Sequence, residues 1–269
     1  LMSPKAVVTS LLGGHVGGAE ITAKYVGGRR LVETAVATLA TDRALLLLGA
    51  PGTAKSWVSE HLAAAISGDS TGVIQCTAGT DENQVRYGWN YAELLAHGPS
   101  RQALVPTPLL RAMESGRLCR LEELTRMGSD VQDTLITVLS EKGVNELSAA
   151  LKRRFNVVVL PLPSDIEEEV GIVAKRVGEM ASGLELPVPK NVAEEVRRVV
   201  AIFRELRGGE TMDGKLALKT PSGTLSTAEA IAVVVGGLSH AAFFNDGQLD
   251  PESLAPSILG AVVKDPVQD

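Results

Sequence analysis

Two groups of residues in this 269-residue chain have the types and spacing for phosphate chemistry. The first is Gly49-Ala50-Pro51-Gly52-Thr53-Ala54-Lys55-Ser56. It follows an apolar, strand-like run, Ala44 to Leu48, and precedes a helical pattern from Lys55 to Ile66. A glycine-rich turn between strand and helix presents backbone N–H groups and a helix N-terminus, which together cradle phosphate. Lys55 would reach the β- and γ-phosphates of a nucleotide, and the Ser56 hydroxyl would hold Mg²⁺. The pattern G-x-x-x-x-G-K-[ST] has Gly where this chain has Ala54, a change that costs little if the residue keeps φ < 0. Gly49 to Ser56, with Trp57 directly after it, is the expected nucleotide-binding stretch. The plainer reading of the octapeptide alone is a Gly/Pro turn before a helix with an exposed lysine.

The second group is Glu122-Glu123, which ends the strand-like run Leu118-Cys119-Arg120-Leu121. A carboxylate at a strand tip beside Mg²⁺ stays ionised, as a metal partner or a base must. The first, Glu122, is assigned to the metal and the second, Glu123, to the attacking water. Asp is usual at the first position, and Glu122 is one methylene longer. The alternative is a solvated charge pair at a strand end.

These residues must be positioned by surrounding elements. Strands are expected at 44–48, 73–76, 118–121 and 156–160, with helices at 29–41, 55–66, 109–115, 130–141 and 145–154. Arg86-Tyr87-Gly88-Trp89-Asn90-Tyr91 alternates aromatic and polar residues, as one arm of a hairpin does. After Pro161-Leu162-Pro163 the texture turns helical, at about 165–182, 189–207, 226–243 and 251–263. Ser164 with Glu167 reads as a capping box for the first of these. Residues 1–22, which include Gly13-Gly14-His15-Val16-Gly17-Gly18, read as a flexible N-terminal segment. The expected division is 1–22, an α/β nucleotide-binding core at 23–162, and an α-helical lid domain at 163–269.

Composition narrows the function classes. Aromatic residues are only 3%, so the core rests on Ala, Val, Leu and Ile. A net charge of −6 speaks against a general nucleic-acid binder. Cys76 and Cys119 lie in apolar runs and read as small buried thiols in a reducing compartment. No apolar run reads as long enough to span a membrane and no signal sequence is evident, so a soluble cytoplasmic protein is expected. The opening Leu1-Met2 suggests a fragment or omitted residues.

The chain resembles the MoxR family of AAA+ ATPases, and their relatives that activate Rubisco and nitric oxide reductase, over about residues 20–265. The resemblance is carried by Gly52 to Ser56, Pro108-Leu109-Leu110-Arg111-Ala112-Met113-Glu114, Glu122-Glu123-Leu124-Thr125-Arg126, and Val144-Asn145-Glu146-Leu147 through Arg153-Arg154-Phe155, in that order. It implies an α/β P-loop AAA+ core with a parallel sheet of order 5-1-4-3-2, followed by the helical lid. It implies ATP and Mg²⁺ as ligands and a homo-oligomer, usually a hexameric ring with ATP between subunits. An arginine finger from the neighbour matches Arg154, with Arg153 the runner-up. Lys152-Arg153-Arg154 reads equally as the charged last turn of a helix. Tyr25-Val26-Gly27 resembles the family's adenine-contacting segment, and reads equally as an ordinary helix entry. The family commonly works on client proteins bearing a von Willebrand factor A domain, and Tyr87, Trp89 and Tyr91 lie in an insertion that members project toward the ring pore. Packing against the core is the better expectation for at least two of those aromatics.

Three departures stand out against the family pattern. Ala54 and Glu122 replace Gly and Asp. Pro221 to Glu229, where the lid's sensing arginine is expected, contains no arginine. Lys142-Gly143-Val144 leaves no room for the central strand that carries a polar sensor residue. Without that strand, two rows of backbone groups would go unpaired in the core, each costing about 1–3 kcal/mol. Residues are therefore expected to be missing between about Lys142 and Val144, on the order of 20–30 of them. Asn145 aligns beyond the sensor position and does not replace it.

The leading expectation is ATP hydrolysis coupled to remodelling of a partner protein. A nucleotide-dependent switch with slow or no turnover is the alternative, favoured by the altered metal carboxylate and the absent sensing arginine. A DNA-directed motor comes third, because the chain is acidic and lacks a basic stripe interleaved with aromatics.

Overall fold

A computed structural model describes residues 2–41, 43–139, 155–223 and 225–264. They fall into two compact units, Leu1–Leu48 with Ala54–Leu160, and Pro161–Asp269 with Gly49–Thr53.

In the first unit, Ser3 caps a helix with Pro4 in its first turn, α1 (Pro4–Leu12). Val7, Val8 and Leu11 line one face of it and are buried. A hairpin follows, β1 (Gly14–Val16) with β2 (Ala19–Ile21), joined by Gly17 and Gly18 at φ 59° and 84°. This corrects the expectation of a flexible segment at 1–22. The glycines mark the tight turn of an ordered hairpin, and the valines before them anchor the chain.

Helix α2 (Arg29–Leu39) adds Val32, Ala35 and Val36 to the same apolar cluster. Strand β3 (Ala44–Leu48) pairs parallel with β8 (Phe155–Val159), in register from Ala44 opposite Phe155 to Leu48 opposite Val159. Helix α3 (Lys55–Ser67) contributes Val58 and Leu62 to that cluster. A second parallel pair joins β4 (Val73–Gln75) to β7 (Arg120–Glu122). Ile74, Cys76, Val85, Met127 and Leu135 form the apolar cluster around it, the last from α7 (Ser129–Leu139). The two parallel pairs match the 5-1 and 3-2 neighbours of the expected order. Among the described residues no strand links them. The junction Lys142–Val144 and the helix expected at 145–154 lie outside the described residues.

Between β4 and β7 the chain forms α4 (Glu82–Val85), β5 (Tyr87–Trp89), α5 (Tyr91–His97), β6 (Leu104–Pro106) and α6 (Pro108–Ser115). The alternating aromatic stretch is a hairpin arm, paired antiparallel from Tyr87 opposite Pro106 to Trp89 opposite Leu104. Tyr87 and Trp89 pack edge to face at 5.8 Å, whereas Tyr91 is exposed.

The second unit contains α8 (Ile166–Gly183), α9 (Val192–Gly208), α10 (Thr227–Phe244) and α11 (Pro251–Val262). They enclose an aliphatic core centred on Val173, Val199, Phe203, Val234 and Leu238. Two details depart from the sequence reading. Asp165, not Ser164, stands at the N-cap of α8, without a side-chain cap. Glu167 instead reaches Arg197, 30 residues on, through two hydrogen bonds. Helix α10 is 18 residues long with a mean hydropathy of 1.5, enough by length and composition to cross a membrane. Its apolar residues Ala230, Val233, Val234, Leu238 and Ala241 are spent on the helical core instead.

Glu169 is fully buried among these helices. Its carboxylate accepts from Arg204 at 2.9 Å, from Arg207 at 2.8 and 3.0 Å, and from the Thr227 hydroxyl at 3.0 Å. The same arginines donate to the carbonyls of Pro163, Ser164 and Leu225. One buried charge thus ties α8, α9 and the start of α10 together, with its oxygens satisfied.

Candidate nucleotide site

The loop between β3 and α3 is shaped by backbone conformation. Gly52 has φ 77° and Ala54 φ 60° with ψ 27°, both left-handed. The condition φ < 0 that would make Ala54 harmless is therefore not met. A Cβ in this region costs roughly 1–2 kcal/mol. Thr53 is buried and folds back on Ala50, whose carbonyl accepts from the Thr53 N–H at 3.3 Å and its hydroxyl at 2.9 Å. Gly52 lies close to the α10 N-cap within the second unit: a Cβ there would stand 2.3 Å from Ser226 Cβ. Ala54 O then accepts from the Val58 N–H at 2.8 Å and opens α3.

Helix α3 and strand β7 bring the metal candidates together. The Ser56 hydroxyl donates to Glu122 Oε2 at 2.6 Å, across 66 residues of sequence. Glu122 Oε1 accepts from the Ser59 hydroxyl at 2.9 Å and from Arg120 Nη1 at 2.9 Å. Arg120 Nη2 donates to the Ser70 carbonyl at 3.0 Å. Sequence reasoning missed Ser59 and Arg120. The signal was periodicity: Ser59 is one helical turn beyond Ser56, and Arg120 is two residues before Glu122 on the same strand face.

Glu123 has left the strand. Its backbone is left-handed, with φ 59° and ψ 38°, and opens the short 3₁₀ turn Leu124–Arg126. Its exposed carboxylate pairs with Arg126 Nε at 3.2 Å. The adenine candidates lie near the start of α3. The Trp57 indole N–H donates to the Lys24 carbonyl at 2.7 Å, and the ring packs edge to face on His61 at 4.4 Å. Tyr25 is buried, Val26 is exposed, and a Cβ at Gly27 would collide with the Tyr25 ring at 2.6 Å. Lys55 is half-buried in the first turn of α3. Arg153 and Arg154 lie outside the described residues.

The two thiols flank this site without serving it. Burial, then the Glu122 charge, raises the Cys76 thiol, and burial chiefly pushes Cys119 up to about 11. Both are free cysteines, and as protonated thiols at neutral pH they are poor metal ligands. Among the described residues no three of His, Cys, Asp or Glu gather as a metal cluster. The donor set fits Mg²⁺ nonetheless. Mg²⁺ takes oxygen ligands, needs only one or two from protein, and completes its shell with phosphate and water. Ser56 Oγ and Glu122 Oε2 already converge to hydrogen-bond distance.

Comparison with known proteins agrees with this architecture. The family described as AAA domain (dynein-related subfamily) matches residues 44–144, which hold β3, the loop, α3 and Glu122-Glu123. The family described as YehL-like AAA+ ATPase C-terminal domain matches residues 167–269. The uncharacterized protein YehL of Escherichia coli (strain K12) is 39% identical over 283 residues, covering 93% of this chain and 76% of the relative.

The chain belongs to the YehL-like AAA+ ATPases.

Membership in the AAA+ class accounts for the two parallel strand pairs and for the glycine-containing loop, Gly49 to Ala54, between β3 and α3. The aligned span of 283 residues exceeds this chain's 269, so YehL carries residues inserted relative to it.

Proposed function

We propose that this AAA+ chain binds and hydrolyses ATP and uses the cycle to remodel, activate or assemble a partner protein, in the manner of the MoxR family it resembles. The observation that carries the reading is the 2.6 Å contact between Ser56 and Glu122. It joins the end of the phosphate loop to the acidic strand tip that a phosphoryl-transfer site requires. Lys55 binds the terminal phosphates, Gly49 to Ala54 surround them with backbone, and Trp57 with Tyr25 to Gly27 borders the base. Ser56 and Glu122 hold Mg²⁺, which neutralises charge on the phosphate oxygens when bound. Glu123 orients and deprotonates water once its carboxylate leaves Arg126. Arg154, or Arg153, completes the site of a neighbouring subunit in a ring, six-membered in this reading. The client bears a von Willebrand factor A domain, and the setting is cytoplasmic.

Glu123→Gln tests the assignment. The variant is expected to bind ATP as the parent does and to lose hydrolysis by at least about a hundredfold. Equal hydrolysis rates would sink the enzymatic reading. The same variant, holding ATP, is the bait for capturing the client.

The second reading, a nucleotide-dependent switch with slow or no hydrolysis, is favoured by one observation. Glu123 is engaged by Arg126 and must be released before it can act. Nucleotide binding with no turnover in the parent chain would select it.

A further inference from the structure

Arg120 is an unusual neighbour for a metal-binding carboxylate. A cation there competes with the metal for the same oxygens. Its side chain and that of Glu122 are only 14% and 18% exposed, so water and salt screen the pair weakly. Nη1 lies 2.9 Å from Glu122 Oε1 and 3.3 Å from the Ser59 hydroxyl, and Nη2 is fixed by the Ser70 carbonyl. Nε is buried with no hydrogen-bond partner. The guanidinium is therefore held against Glu122 from two sides. Its position two residues earlier on β7 keeps both side chains on one face. Glu122 Oε1 is occupied by this cation and by Ser59, while among the described residues Oε2 accepts from Ser56.

We propose that Arg120 is a built-in counter-cation for Glu122, which leaves only Oε2 to a divalent ion and makes nucleotide binding weakly dependent on Mg²⁺. The inference rests on the nucleotide reading of this site. In a loop of this kind the triphosphate approaches an acidic strand tip, and Mg²⁺ normally supplies the charge that lets it do so. Here part of that charge is permanent. Removing it leaves Glu122 uncompensated, which repels free triphosphate and attracts Mg²⁺ more strongly. Arg120 is thus a positioning and charge-setting residue for the metal site.

The test is calorimetric titration of the whole chain with a non-hydrolysable ATP analogue, once in EDTA and once in excess Mg²⁺. The ratio of the two dissociation constants is the readout. In the parent chain the ratio is expected to stay below about tenfold, and Arg120→Met should raise it by roughly tenfold or more. Arg120→Lys, which keeps the charge without the fork, should remain near the parent value. A folded Arg120→Met variant with the parent ratio overturns the proposal, and so does a Lys variant that behaves like Met. If the Met variant does not fold, the parent decides, because a ratio above about a hundredfold is incompatible with a permanent counter-cation. No nucleotide binding in either buffer would instead overturn the nucleotide reading itself.

Discussion

Ala54 and Glu123 occupy left-handed backbone, at φ 60° and 59°, where side chains other than glycine are strained. Each stands at a turn out of the sheet, one entering α3 and the other leaving β7. Such strain persists only where surrounding structure enforces it, and it concentrates at functional positions. For Ala54 the expected consequence is direct. Ala54→Gly should raise the unfolding free energy by about 1 kcal/mol, because relief of the Cβ clash outweighs the added freedom of the unfolded chain. Urea denaturation measures it, and an unchanged or lowered midpoint would show that the loop does not strain this residue. The motif made the Ser56–Glu122 meeting legible, since hydroxyl and carboxylate fall at the ends of adjoining elements. It did not reveal the sign of φ at Ala54, which is set by the geometry of the whole loop. Arg120 is not legible as part of the site in the sequence, because its partners Ser59 and Ser70 lie 61 and 50 residues away and meet it only in the fold.

At the scale of elements, most strands and helices follow from periodicity. The helical C-terminal elements fall within a few residues of where the sequence put them. The departures share one cause: a distant partner outcompeted a local one. Glu167 was expected to close a capping box and instead serves Arg197 of α9. The N-terminal glycines suggested a loose loop, yet the apolar face of α1 found the α2–α3 cluster and fixed the chain before them. Glu169 shows the same preference more strongly, since its partners lie 35, 38 and 58 residues away. Glu169→Ala would leave Arg204 and Arg207 facing a vacated buried site. The expected loss is about 3–5 kcal/mol, read as a shift in the urea midpoint of the C-terminal unit. A loss under about 1 kcal/mol would mean that the arginines find water or carbonyl partners at no cost.

For the whole molecule, the two parallel strand pairs stand as separate two-stranded sheets among the described residues. Leu48 and Glu122 end strands that belong to different pairs, and the expected order places a further strand between them, for which Lys142-Gly143-Val144 leaves no room. If the chain lacks a central strand, the natural gene product should contain on the order of 20–30 residues between Lys142 and Val144. Peptide mapping by mass spectrometry checks this, and an uninterrupted Lys142-Gly143-Val144 in that product overturns it. Trp57 offers a different opportunity. The chain has two tryptophans, and this one directly follows Ser56 while its indole is tethered to the carbonyl of Lys24. Emission from that ring should respond when a ligand settles on the loop, so with Trp89 replaced by Phe the protein becomes its own optical gauge, needing no label.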